Sequence, residues 1–123
     1  MSARITALFV LALPLPLLSA PATGTDPTQG QRLFERRCTG CHRLDELRSG
    51  PRLRGVFGRA AGADPGFPYS SALKSSGLTW NEATLDRWLT DPEALVPDTD
   101  MAFRMSDAGE RAEIIAYLKS LPR

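Results

Sequence analysis

The chain has 123 residues, room for one domain, and balances 15 lysines and arginines against 14 aspartates and glutamates, with a single histidine. A near-neutral chain without a clustered basic stretch offers no footprint for nucleic acid. Its only cysteines are Cys38 and Cys41, so no disulfide can tie distant segments, and a domain this small then leans on some other support such as a cofactor.

Residues 1–22 have the layout of a secretory signal peptide. Arg4 supplies the one charge, an uncharged apolar run extends from Ile5 to Leu18, and Ala20-Pro21-Ala22 forms an A-x-A cleavage pattern. A retained membrane anchor is the rival reading. The run is shorter than the roughly 20 residues that span a bilayer, and Pro14 and Pro16 interrupt it. Cleavage is therefore expected, with residues 23–123 as the functional domain.

The first helix is expected from about Asp26 to Arg37, with Asp26 as cap, Pro27 at the first helical position, and Leu33 and Phe34 on the apolar side. Gly30 inside it costs roughly 1 kcal/mol against alanine, which implies close approach by another backbone. Residues from Ser49 to Pro68 are rich in glycine and proline and read as an ordered loop. A short helix follows around Tyr69 to Ser75 and ends at Gly77. Thr79-Trp80-Asn81-Glu82 has the form of a capping box, opening a helix with Leu85, Trp88 and Leu89 on one side and Asp91-Pro92 as its stop. Asp107 and Glu110 open the last helix, in which Ile114, Tyr117, Leu118 and Leu121 share helical spacing. No segment alternates as a strand would. The class is all-α, with about four short helices and long loops.

Cys38-Thr39-Gly40-Cys41-His42 is the C-x-x-C-H pattern of c-type haem attachment. Two thiols at this spacing can add to the two vinyl groups of haem, and the next residue then brings an imidazole to the iron. Gly40 removes a side chain where backbone and porphyrin would crowd. A thioredoxin-like motif would need a βαβ setting, which is missing. A structural zinc site needs four ligands, and Cys38, Cys41 and His42 make three. A disulfide between Cys38 and Cys41 would close only a tiny loop and stabilise little. Haem is the reading the motif favours.

With His42 the sole histidine, the iron's other side is left to a methionine, a lysine or an open position. Met101 and Met105 both lie in the loop between the last two long helices, a segment constrained by Pro97 and by the flanking caps. A thioether is a soft, neutral ligand suited to iron in two oxidation states.

Pro97-Asp98-Thr99-Asp100-Met101-Ala102-Phe103 resembles the P-G-T-K-M-A-F methionine loop of class I cytochromes c, and Gly50 to Arg59 resembles their G-P-N-L-H-G-L-F-G-R. Gly66 to Tyr69, Thr79-Trp80 and Glu110 to Lys119 match in the same order. The resemblance runs from about Gly30 to Lys119 and is strongest to the mitochondrial cytochrome c and bacterial cytochrome c2 group.

That resemblance implies the class I cytochrome c fold around one covalent haem c, held by Cys38 and Cys41. It implies His42 and Met101 as axial ligands, with Met105 as substitute. The Pro51 carbonyl would accept the other imidazole N–H of His42. Arg59, Tyr69 and Trp80 match positions that contact one haem propionate, and Thr99 a contact to the second. Trp88, Leu89 and Phe103 belong to the haem pocket, although Trp80, Phe57 and Leu89 read equally well as ordinary core. Gly30 and Phe34 would cross the last helix near Ile114 and Tyr117. The chain departs from the family at Trp88, where a tyrosine usually donates to the methionine sulfur, and at Leu73, where an asparagine helps hold a buried water. The segment between His42 and Gly50 is also shorter. The lysines that ring the haem edge of mitochondrial relatives are replaced by Arg37, Glu93, Ala94 and Asp100.

The expected function is that of a soluble, monomeric one-electron carrier in the periplasm, working between other redox proteins, with no catalytic acid or base. It would touch a membrane only if the N-terminal segment stayed as an anchor. A cytochrome subunit of a periplasmic dehydrogenase is one alternative. A haem-based sensor or peroxidase with a labile Met101 is another.

Overall fold

The computed structural model describes Met1 and residues 24–123; the signal-peptide reading of residues 1–22 lies outside the described residues. Helix α1 (Pro27–Arg37) starts where its cap requires, the Asp26 side chain accepting the Thr28 N–H at 2.9 Å. Four further helices follow among the described residues: α2 (Ser71–Lys74), α3 (Glu82–Thr90), α4 (Pro92–Leu95) and α5 (Ala108–Ser120). The long connections are loops, as expected for this all-α class.

Two local expectations need correction. The capping box at the head of α3 is shifted: Asn81, not Thr79, is the cap, and it pairs reciprocally with Thr84. The reason is tertiary. The Trp80 N–H donates to Arg59 O at 2.9 Å and Trp80 O accepts from the Gly58 N–H at 2.6 Å, while Ala60 and Thr79 form an isolated antiparallel bridge. Residues 79–80 are thus held extended and cannot begin a helix. In addition, Asp91-Pro92 ends α3 and also starts α4, because Asp91 caps the new helix by accepting the Ala94 N–H at 3.2 Å and Pro92 takes its first position.

The core is built where α1 crosses α5. A Cβ on Gly30 would lie 2.7 Å from Tyr117 Cβ and overlap the Glu113 carbonyl, so only glycine permits this approach. Phe34 and Tyr117 stack obliquely with centroids 5.5 Å apart, and Arg37 pairs with Glu110 at 3.1 Å. Ile114, at 1% exposure, is the most deeply buried residue of this contact. Leu85, Trp88 and Leu89 extend the core onto α3, and Trp80 packs on Trp88 with centroids 5.1 Å apart. No helix among the described residues is long and apolar enough to cross a membrane.

Candidate functional site

Cys38 is the C-cap of α1, its N–H donating to Phe34 O. The chain then turns tightly, with the Cys41 and His42 amides both donating to Cys38 O, at 3.1 and 2.8 Å. This turn delivers Cys38, Cys41 and His42 to one wall of a cavity of about 450 Å³, within the range of cofactor sites. Both cysteines are free thiols. Burial pushes the Cys38 thiol up to about 11, against the opposing pull of Arg37, so it stays protonated near neutrality.

His42 is fixed by its surroundings. Its Nδ1 lies 2.8 Å from Pro51 O. A carbonyl can only accept, so Nδ1 carries the proton and Nε2 keeps its lone pair for a metal. Burial lowers the imidazole pKa, partly countered by the Pro51 contact, and this favours the neutral, ligating form. Gly50 lies against the ring, where a Cβ would come within 2.6 Å of Nδ1. Its amide ties the loop back to Cys41 O at 2.9 Å.

Met101 lines the same cavity. The Trp88 indole N–H donates to its sulfur at 3.1 Å, so the tryptophan that replaces the family's tyrosine still reaches the thioether. Leu53, Val56, Leu73, Leu85, Leu89 and Leu118 supply apolar walls, and Phe103 also faces the cavity.

The polar end is unusually rich in uncommitted donors. Arg59 gives Nη2 to Arg52 O at 2.8 Å and Nη1 to Arg54 O at 3.4 Å, while its buried Nε has no partner. The Tyr69 hydroxyl accepts the Asp64 N–H at 3.1 Å, which leaves its own proton free. Burial raises the Tyr69 pKa and keeps that proton in place. Trp80 also lines the cavity and brings its indole N–H to it. Buried donors without acceptors are rare. Arg59 Nε is one, and together with the Tyr69 hydroxyl proton and the Trp80 indole N–H it fits a ligand with anionic oxygens at one end and a flat apolar body, which is the chemistry of haem with its propionates.

The structure therefore brings together Cys38, Cys41, His42, Pro51, Arg59, Tyr69, Trp80, Trp88, Leu89, Met101 and Phe103. Thr99 stands apart, facing a separate hollow of about 250 Å³ on the other side of Met101, between Glu93 and Arg104. Met105 is buried at 3% exposure but does not line the cavity.

Sequence reasoning missed two charged pairs near the site. Asp64, with its side chain only 3% exposed, pairs with Arg52 at 2.8 Å and also accepts the Arg52 backbone N–H at 2.9 Å. Burial would raise its pKa, but the Arg52 hydrogen bonds outweigh that and hold the carboxyl below its usual range. Arg111 pairs with Asp86 at 2.7 Å across α5 and α3. Asp64-Pro65-Gly66 reads as an ordinary turn and Arg111 as a solvated helix charge, so neither pair left a signal in the sequence.

A family model described as cytochrome c matches residues 27–122. The chain is 45% identical over 104 residues to cytochrome c2 of Rhodomicrobium vannielii, covering 81% of this chain and 82% of that one. Among solved structures it is similar to cytochrome cH from Methylobacterium extorquens, with TM-score 0.74 and 44% identity over 77% of this chain and 98% of that one. It also matches ferricytochrome c2 from Rhodopseudomonas palustris, with TM-score 0.74 and 33% identity over 79% of this chain and 99% of that one.

Proposed function

We propose a role that starts from family membership: this chain belongs to the cytochrome c family, electron carriers with one covalently attached haem c. In this reading Cys38 and Cys41 would hold the haem by thioethers, and His42 Nε2 and Met101 Sδ would be the ligands of its iron. The bound haem supplies a one-electron couple at its iron. The protein's part is to keep both ligands in place in either oxidation state, so that little has to move when an electron passes. Pro51 and Gly50 hold the imidazole, and Trp88 holds the thioether. The leucine walls exclude water, and Arg59, Tyr69 and Trp80 receive the anionic edge.

One observation carries this reading. An imidazole with its free nitrogen available and a thioether with its sulfur oriented line one cavity, beside the two thiols of the attachment motif. The chain would work in the periplasm after removal of residues 1–22, as a monomer exchanging electrons with other redox proteins.

The test is the absorption spectrum of the exported protein, matured with the haem-attachment machinery, in both oxidation states. A low-spin spectrum with the weak far-red sulfur-to-iron band in the ferric form is expected, lost in Met101→Ala. A high-spin spectrum with immediate carbon monoxide binding would instead show that Met101 does not hold the iron. The N-terminal sequence of the periplasmic fraction decides the cleavage point.

A further inference from the structure

We propose that Arg111 is a positioning residue for Met101, latching the chain segment that follows the methionine onto both α3 and α5. This rests on the reading of Met101 as an axial ligand.

Arg111 breaks a local rule. It sits in the opening turn of α5, its backbone N–H donating to Asp107 O at 3.1 Å. A cation there opposes the positive end of the helix dipole. It is also buried, at 9% exposure, and a guanidinium is seldom removed from water without full compensation. A residue that violates two local preferences at once marks a place where tertiary structure or function overrides them.

The compensation shows what is being held. Arg111 Nε donates to Asp86 Oδ1 on α3 at 2.7 Å, and its Nη1 donates to both Met105 O and Ser106 O at 2.9 Å. The Met105 amide in turn donates to Leu89 O, in the last turn of α3, at 2.7 Å. The Met105 side chain is buried in the core. One guanidinium thus joins α5, α3 and the backbone a few residues beyond Met101. On the near side, Met101 itself is tied to α3 through Trp88. Segment 101–106 is pinned at both ends to the same helix, and Arg111 supplies the far pin. Arginine suits the task because its planar fork reaches three acceptors in fixed directions, which a lysine cannot do.

The consequence is a shifted equilibrium. Met101 can leave the iron only if its segment swings outward, and Arg111 opposes that swing. Loosening the latch should raise the population of the Met-off state without touching a ligand.

The experiment compares haem-loaded wild type, Arg111→Lys and Asp86→Asn, the last removing only the charge of the half-exposed partner. Three quantities are read: the ferric far-red band, the rate of carbon monoxide binding to the ferrous form, and hydrogen exchange at the Met105 amide. For Arg111→Lys a weakened band is expected, with carbon monoxide association and Met105 exchange each faster by about tenfold, the scale of one lost hydrogen bond. Asp86→Asn should fall between it and wild type. If Arg111→Lys lowers the melting temperature but leaves band, association rate and Met105 exchange at wild-type values, Arg111 is purely structural and the proposal is overturned. Should wild type itself lack a band that Met101→Ala abolishes, it is the ligation reading that fails. The Met105 exchange rates then still decide whether Arg111 pins the segment.

Discussion

The indole N–H of Trp88 lies 3.1 Å from the sulfur of Met101. An indole is a donor only, whereas a tyrosine hydroxyl can donate and accept. Trp88 can therefore hold the thioether without drawing a water behind it, and Leu73 on the same cavity offers no polar group to do so. The sulfur thus receives one directed hydrogen bond.

That bond has a sign for the reduction potential. With Met101 as the proposed iron ligand, a donor on the sulfur would draw electron density away from it and weaken its support for ferric iron more than for ferrous. Trp88→Phe is thus expected to lower the midpoint potential by about 20–60 mV, the one-electron equivalent of an ordinary hydrogen bond. It should also speed carbon monoxide binding to the ferrous protein. Trp88→Tyr, which restores a donor, should recover most of both changes. A potential that does not move in Trp88→Phe would mean the bond is not kept once the iron is ligated.

Gly30 tests the helix crossing. Its Cβ would overlap the Glu113 carbonyl, which is main chain and cannot rotate away. Gly30→Ala should therefore destabilise the folded protein, by about 1–3 kcal/mol for an overpacked contact, despite the better helix propensity of alanine. Denaturant titration of the two proteins measures the difference; an unchanged or raised midpoint would contradict the close crossing.

Asp64 should shape the acid limb of stability. Its folded-state pKa is depressed by Arg52. A group of this kind stabilises fully above its unfolded pKa, about 3.9, and loses that contribution as pH falls through the lower folded value. Asp64→Asn should lower the thermal midpoint near neutrality by about 5–10 °C. The gap between the two proteins should narrow as pH falls below 4. Melting curves at several pH values read this directly, and a gap independent of pH would show that the carboxylate charge is not what matters.

How legible these features were in the sequence follows from how local each one is. Cys38, Cys41 and His42 are adjacent in the chain, so their chemistry could be read from spacing alone. Asp26 and Asp107 cap the nearest amides, and both caps stand where local rules put them. Thr79 also had a good local pattern, but the contacts of Trp80 with Gly58 and Arg59 moved the helix start, and nothing near Thr79 announces them. The assembly of Pro51, Arg59, Tyr69 and Trp80 around one cavity came from family resemblance, since no periodicity links those positions. Asp64 and Arg111 matter through partners 12 and 25 residues away, and charge alone does not distinguish such residues from solvated surface.

Asp98 is the only non-glycine residue with positive φ among those described, at 64°. It occupies the position where the resembled methionine loop has glycine. A side chain in that region is strained, though aspartate tolerates it better than most, and here the Asp98 N–H is held by Glu93 Oε1 at 3.0 Å. Stability is expected to run Asp98→Gly above wild type by about 0.5 kcal/mol and Asp98→Ala below it by about 1 kcal/mol. Equal melting temperatures for the glycine and alanine variants would show that this backbone is not kept in solution.

The charges at the cavity mouth bear on partner choice. Arg37 and Asp100 both line the cavity, one from the cysteine side and one from the methionine side. Arg37 is exposed on the cysteine side, and Glu93, Asp98 and Asp100 are exposed on the methionine side. A mouth with both signs cannot present one uniform field to an approaching protein. Long-range steering should be weak, since opposite charges cancel beyond a Debye length of about 8–10 Å. The second-order rate of electron exchange with a physiological partner is therefore expected to change by less than about threefold between low and moderate ionic strength, where a uniformly charged face can change it by tenfold or more. Stopped-flow rates over a salt series measure the slope. A steep fall with added salt would show that one sign dominates the docking face, and Asp100→Lys would then reveal which, by raising the rate if the partner is acidic and lowering it if the partner is basic.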